Sequence, residues 1–229
     1  QKIYILNMDE ILNNSVFMHR MTGDSISADI SETFRYSGIA KTDAPQPESD
    51  MYKLACRAQD VILSCMNPRS CYIRFDLSVS ENDRGLSGDV KKISFGNKTI
   101  YSKDLANNLK GCHCVYLFSA TLGPEVDRAI QKNSRLNPAL SVFLQSAGAM
   151  YIEEYCNKLE EFLLEAEKKN GNAFVPRFSP GYGDVSLETQ KIFFEILNCQ
   201  KNLALTLNDS LIMSPEKSVT AFIGVKREK

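Results

Sequence analysis

One stretch of this chain constrains the fold more than any other, because it predicts a single helix of unusual length. Asn137 is a favourable N-cap, and Pro138 suits the first helical position. From there the apolar spacing runs on to about Lys169. Leu140, Leu144, Ala147, Tyr151, Tyr155 and Phe162 fall within about 40° of one meridian, at about 100° per residue. A helix with one apolar stripe has to lay that stripe on another layer of structure.

The rest of the chain offers both helices and strands. The cleanest further amphipathic helix spans 49–66, with Met51, Leu54, Ala55, Ala58, Val61, Ile62 and Cys65 at helical spacing. Asp24 or Ser25 can cap a shorter helix that carries Ile26, Ile30 and Phe34 and stops near Gly38. Residues 1–20 admit a short strand at 3–6 and a short helix, and 41–48 read as a linker-like break. Strand patterns occupy 71–79 and 112–119, with a polar loop over 80–90. Gly96-Asn97 joins Lys92–Phe95 to Lys98–Tyr101 as a hairpin. Ser102 caps a short helix with Leu105, Ala106 and Leu109, ended by Gly111, and Pro124 opens another. The last strands fall at 203–207, 211–213 and 218–225. Helices and strands mix without strict βαβ alternation, and several strands can meet only as antiparallel neighbours, which gives an α+β fold. The divisions suggest an N-terminal helical arm over 1–45 and a main domain over 46–229.

Composition excludes several functions. The net charge of −1 leaves no nucleic-acid footprint. No apolar run approaches the ~20 residues that span a bilayer, and no signal peptide is visible. The seven cysteines are odd in number and sit mostly in apolar periodic segments, which points to reduced thiols and a cytoplasmic setting. Cys112-His113-Cys114 lacks the spacing of a structural zinc site, and in a strand its two thiols share one face. The two histidines, His19 and His113, support no hydrolytic triad.

Residues 177–184 read Arg-Phe-Ser-Pro-Gly-Tyr-Gly-Asp, directly before a helix pattern of about four turns. Arg177 offers a planar fork suited to a carboxylate or phosphate. Gly181 and Gly183 let backbone approach a ligand closely, and Pro180 stiffens the turn. The glycines lack the third member and the preceding strand of a dinucleotide fingerprint. Taken alone, this is a tight turn before a helix with a surface arginine.

A second stretch changes that reading. Residues 205–219 read Leu-Thr-Leu-Asn-Asp-Ser-Leu-Ile-Met-Ser-Pro-Glu-Lys-Ser-Val. The order Arg-x-Ser-Pro-Gly-Tyr, a helix, then Asn-Asp-Ser-x-x-Met-x-Pro-x-x-Ser-Val resembles the activation domain of cobalamin-dependent methionine synthase, which binds S-adenosylmethionine. The family pattern is Arg-Pro-Ala-Pro-Gly-Tyr, a helix, then Leu-Thr-Glu-Ser-x-x-Met-x-Pro-x-x-Ser-Val. The resemblance is close over 177–222 and extends from about 100 onward.

The resemblance implies a twisted antiparallel sheet with flanking helices. It implies an S-adenosylmethionine site in which Arg177 holds the ligand carboxylate and the backbone around Ser179, Gly181 and Tyr182 cradles the rest. Tyr-Ile-Glu-Glu-Tyr at 151–155 matches a family helix whose glutamate contacts the ligand, which makes Glu153 the further candidate. Glu153 lies off the apolar stripe among Val142, Ser146, Gly148 and Ala149, small neighbours that leave room for an amine. Glu154, Glu160 and Glu161 read as solvated. Asp209, Ser210, Met213, Pro215 and Ser218 also match and read as mainly structural. The family role is reductive remethylation of cobalamin in methionine biosynthesis, with an electron from a flavodoxin- or ferredoxin-type donor. No Asp-x-His-x-x-Gly occurs, so cobalamin would sit on a partner methionine synthase or related corrinoid methyltransferase. No residue stands out as catalytic. Departures from the pattern are the absence of tryptophan, an end at Lys229 soon after the last match, and no assignable N-terminal aspartate. Two other readings stay open: a docking protein for a corrinoid protein that binds no S-adenosylmethionine, and a small-molecule methyltransferase.

Overall fold

The computed structural model of the protein describes residues 15–81 and 88–228. The expected strand at 3–6 and most of the 80–90 loop lie outside them. Strand β1 (Phe17–Arg20) pairs antiparallel with the first half of β2 (Arg69–Glu81). The second half of β2 pairs with β3 (Lys91–Phe95), which turns through Gly96-Asn97 into β4 (Lys98–Ser102). On its other edge β2 pairs with β5 (Cys112–Thr121), then come β9 (Ser218–Arg227) and β6 (Asn172–Phe174). The result is a seven-stranded sheet ordered β4-β3-β2-β5-β9-β6, with β1 also on β2, and every pairing is antiparallel. A small hairpin, β7 (Thr206–Leu207) with β8 (Met213–Ser214), stands apart. The α+β fold expected from the sequence is therefore the fold of the chain.

Helices cover both faces of the sheet. On one face lie α1 (Ile30–Tyr36), α2 (Asp50–Cys65), α4 (Pro124–Leu136) and the 31-residue α5 (Pro138–Lys168). On the other lie α3 (Lys103–Asn108), α6 (Gln190–Ile196) and α7 (Cys199–Leu203). This explains β5, in which every residue from Cys114 to Thr121 is buried. Tyr116, Phe118 and Ala120 join the core under α5, while Val115 and Leu117 join the opposite core. A strand covered on both faces has no reason to alternate. Of the α5 stripe, Leu140, Leu144, Ala147, Tyr151 and Tyr155 are each 1 % exposed or less, and Phe162 is half-buried against the same core. Side-chain caps hold helix starts, with Ser49, Ser102 and Asn137 accepting from the backbone of Tyr52, Leu105 and Leu140.

Glu167 fastens the C-terminal turn of α5 to the sheet. It accepts from Arg74 Nε at 2.9 Å, from the Tyr116 hydroxyl at 2.7 Å and from Asn172 Nδ2 at 2.6 Å. Burial pushes the Tyr116 phenol well above its usual range, and the Glu167 carboxylate adds to that. The network joins β2, β5 and β6 to the helix just before the chain enters the 177–184 loop.

Several expectations need correcting. The helix read from Asp24 or Ser25 is a short 3-10 turn at Gly23–Ser25, and α1 starts five residues later. Asp29 is its cap, accepting from Ser31 N at 2.8 Å. The four-turn helix before residue 205 is broken at Asn198, whose φ of 46° ends α6 and starts α7 afresh. Residues 203–205 are consequently not strand. Strand β2 reaches Glu81, past the start of the expected loop. Cys112 and Cys114 do not share a face, because the β5–β9 register shifts between them. Cys112 packs against the α3 side and Cys114 lies in the α5 core. All seven cysteines are free thiols. None of the described helices is long and apolar enough to cross a membrane.

Candidate functional site

After β6 the chain keeps to the edge of β9 before it turns. Val175 N donates to Gly224 O at 3.0 Å, and Phe178 exchanges two backbone bonds with Phe222 at 2.9 and 2.8 Å. A side chain at Gly224 would collide with Leu109, Cys112 and Val175, so glycine there lets the edge segment lie close. This fixes Arg177 at the sheet edge, facing the middle of α5. Its guanidinium donates Nη2 to Glu153 Oε2 at 2.5 Å and Nη1 to Asn157 Oδ1 at 2.9 Å. Nη1 also donates to Glu160 Oε1.

Glu153, Asn157 and Glu160 stand at i, i+4 and i+7 on α5, one face of the helix. The structure thus joins Arg177 and Glu153, residues 24 apart in sequence. It also overturns the solvated reading of Glu160, whose side chain is 23 % exposed and bound to the arginine. The signal was present in the seven-residue spacing from Glu153. Glu161 does face solvent, 63 % exposed and paired with Lys158 at 2.9 Å, whereas Glu154 is half-buried, accepting from Asn157 Nδ2 at 3.1 Å and lying 3.9 Å from Lys158. Burial works against the charge of Arg177, but its hydrogen bonds to Glu160 and Glu153 outweigh it and raise its pKa further, so it stays cationic. Cys156, fully buried on the same helix, has its thiol pushed up by burial.

Two of the small residues near Glu153 are covered, while Val142 is 57 % exposed. Ser146 bonds to the Ser37 hydroxyl at 2.8 Å. The Lys217 side chain lies over Gly148, where a Cβ would sit 3.1 Å from its Cε. What faces Glu153 is Arg177.

The Ser179–Asp184 turn closes on itself. Gly181 N donates to Val185 O at 2.9 Å, Tyr182 N to Ser179 O at 3.3 Å, and Val185 N to Tyr182 O at 3.1 Å. Gly181 has φ 91° and Gly183 φ 53°, the left-handed region that glycine tolerates. At Gly183 a side chain would also collide with Asp104. Pro180 is buried, Gly181 is exposed, and Tyr182 is 69 % exposed at the tip. The amide of Gly181 is therefore committed to the turn, Leu187 lies against its α-carbon, and the Tyr182 ring is exposed.

Asp184, which the sequence did not mark, anchors this loop. Its carboxylate accepts from the Ser102 hydroxyl, from Lys103 N at 2.7 Å and from Asp104 N at 3.2 Å. Asp184 N donates back to Asp104 Oδ2 at 3.1 Å. Desolvation opposes the Asp184 charge, but the Ser102 hydroxyl and the backbone amides outweigh it and lower its pKa. Its partners lie 80 to 82 residues away, beyond any sequence periodicity. Asp209 and Ser210 sit in the exposed β7–β8 turn, where Ile212 N donates to Asn208 Oδ1 at 2.9 Å. Pro215 and Ser218 are buried and structural, the Ser218 hydroxyl donating to Pro215 O at 2.7 Å.

No protein-family model matches the sequence, and no curated protein does. Among solved structures, the chain is similar to the crystal structure of the MetH reactivation domain bound to AdoHcy. The TM-score is 0.61 at 14 % sequence identity, over 92 % of this chain and 78 % of that one. The likeness is one of fold.

Proposed function

We propose that the protein binds S-adenosylmethionine and acts as a reactivation component for a cobalamin-dependent methyltransferase. The observation that carries this reading is the Arg177–Glu153 pair, held at 2.5 Å beside a glycine-rich turn. It lies in a chain whose fold is that of a domain solved with AdoHcy. Arg177 would take the ligand carboxylate, a charge-assisted bidentate contact. Glu153 would take the ammonium. Gly181 and the Tyr182 ring would flank the rest, with Ser179 and Pro180 holding the turn. The bound ligand supplies a methyl group on a cationic sulfur. The chain's own part is to hold and orient it, since the proposal gives no side chain the role of nucleophile or base.

Cobalamin would reside on a partner, a methionine synthase or related corrinoid methyltransferase, and the electron would come from a flavodoxin- or ferredoxin-type donor. The test mixes this protein with a cob(II)alamin-loaded methyltransferase, S-adenosylmethionine and an electron donor, and follows the cobalamin absorption. Faster formation of methylcobalamin that depends on Arg177 supports the role. An unchanged rate overturns it. One observation favours a second reading, a docking protein that binds no S-adenosylmethionine: Arg177 is already paired with two carboxylates. A corrinoid protein that binds this chain without the nucleoside would support that reading.

A further inference from the structure

The Arg177 cluster is not charge-balanced. One guanidinium meets two carboxylates, Glu153 and Glu160, with the neutral amide of Asn157 between them. Lys158 on the same helix is engaged by Glu161 at 2.9 Å and Glu154 at 3.9 Å, so it does not cancel the excess. The cluster is partly withdrawn from water: the side chains of Arg177 and Glu160 are 22 % and 23 % exposed and that of Glu153 38 %. An incoming carboxylate must displace glutamates from the arginine. Every glutamate so released needs a new cation, because a half-buried carboxylate left unpaired is costly. Both carboxylates reach the two end nitrogens of one guanidinium, so their tips lie within its span plus two hydrogen bonds.

From this arrangement we infer that Glu160 sets the ligand charge the site accepts. This rests on the proposed S-adenosylmethionine site. The best ligand carries one carboxylate for Arg177 and two nearby cationic centres, one for each released glutamate. S-adenosylmethionine has these in its ammonium and its sulfonium. S-adenosylhomocysteine, a neutral thioether at the same position, has only the ammonium and leaves one glutamate unpaired. Glu160 therefore makes the site favour the methyl donor over the demethylated product, and so promotes product release. It acts as a specificity-determining residue and has no part in the transfer itself.

The test is calorimetric titration of both nucleosides into the full chain, the Glu160→Gln, Glu160→Asp and Glu161→Gln variants, with circular dichroism to confirm folding. The wild type prefers S-adenosylmethionine by about tenfold, and Glu160→Gln lowers that preference about fivefold to tenfold, mainly by tightening the thioether. Glu160→Asp and Glu161→Gln keep it. Added salt narrows the wild-type preference, as for any half-exposed charge pair. If both nucleosides bind and the ratio is the same in Glu160→Gln, the inference fails while the proposed function stands. If neither binds the wild type, the proposed site fails and the selectivity with it.

Discussion

Replacing Glu167 tests how the long helix is fixed to the sheet, and thereby how Arg177 is placed. Glu167 is 3 % exposed and accepts three hydrogen bonds, from Arg74, Tyr116 and Asn172. Glu167→Ala removes all three and leaves Arg74, whose side chain is 11 % exposed, without its counter-ion. Breaking one side of a buried ion pair costs roughly 3–5 kcal/mol. Arg74 can swing partly toward water, which favours the lower end. Glu167→Gln keeps the volume and can still accept from Tyr116, so it loses chiefly the charge-assisted bond to Arg74, about 1.5–3 kcal/mol. For a chain of this length each kcal/mol moves Tm by about 2–4 °C. The expected fall is therefore about 3–12 °C for Gln and larger for Ala. Urea unfolding followed by far-ultraviolet circular dichroism gives the free energies, with exposed Glu165→Gln as the control, expected to stay within about 0.5 kcal/mol of wild type. A Glu167→Ala protein within about 1 kcal/mol of wild type would show that the network does not anchor α5.

Three further outcomes follow from the loop and the thiols. Gly183→Ala, at φ 53° and against Asp104, lowers stability by about 1–2 kcal/mol, read from urea midpoints; an unchanged midpoint would mean the turn is not held as described. Asp184 has a folded pKa below its ordinary 3.8, so its contribution is complete above that value and fades as pH falls through the lower folded value. Stability of wild type and Asp184→Asn should accordingly differ at pH 7 and converge as the pH falls below 3.8 and through the folded value, and a gap that widens on acidification would contradict the assignment. In native protein, Cys56, Cys65 and Cys112 react with a thiol reagent before the buried Cys71, Cys114, Cys156 and Cys199, and mass mapping that found Cys156 labelled first would refute the burial.

Much of the fold was legible because its signals are local. Ser102 and Asn137 cap within three residues of their partners, and Gly96-Asn97 announces its own hairpin. The α5 stripe shows in one helical period. What escaped depends on distance or on a single unusual backbone angle. Asn198 breaks a helix although it is neither glycine nor proline. Strands β1 and β6 are four and three residues long and gain their identity only from β2 and β9. A register shift at the start of β5 separated Cys112 from Cys114. In the candidate site, Arg177 and Glu153 came from the family resemblance, and the structure joins them. Glu160 needed the helix periodicity read outward from Glu153, and Asp184 needed the fold, because its partners begin 80 residues earlier.

Calorimetric titration of S-adenosylmethionine into wild type and Arg177→Ala decides whether Arg177 holds this ligand. One saturable site is expected in wild type and a loss of about 2 kcal/mol or more in the folded variant, because the ligand carboxylate loses a charge-assisted pair. Absence of binding to wild type, or equal affinity in both proteins, would contradict this role of Arg177.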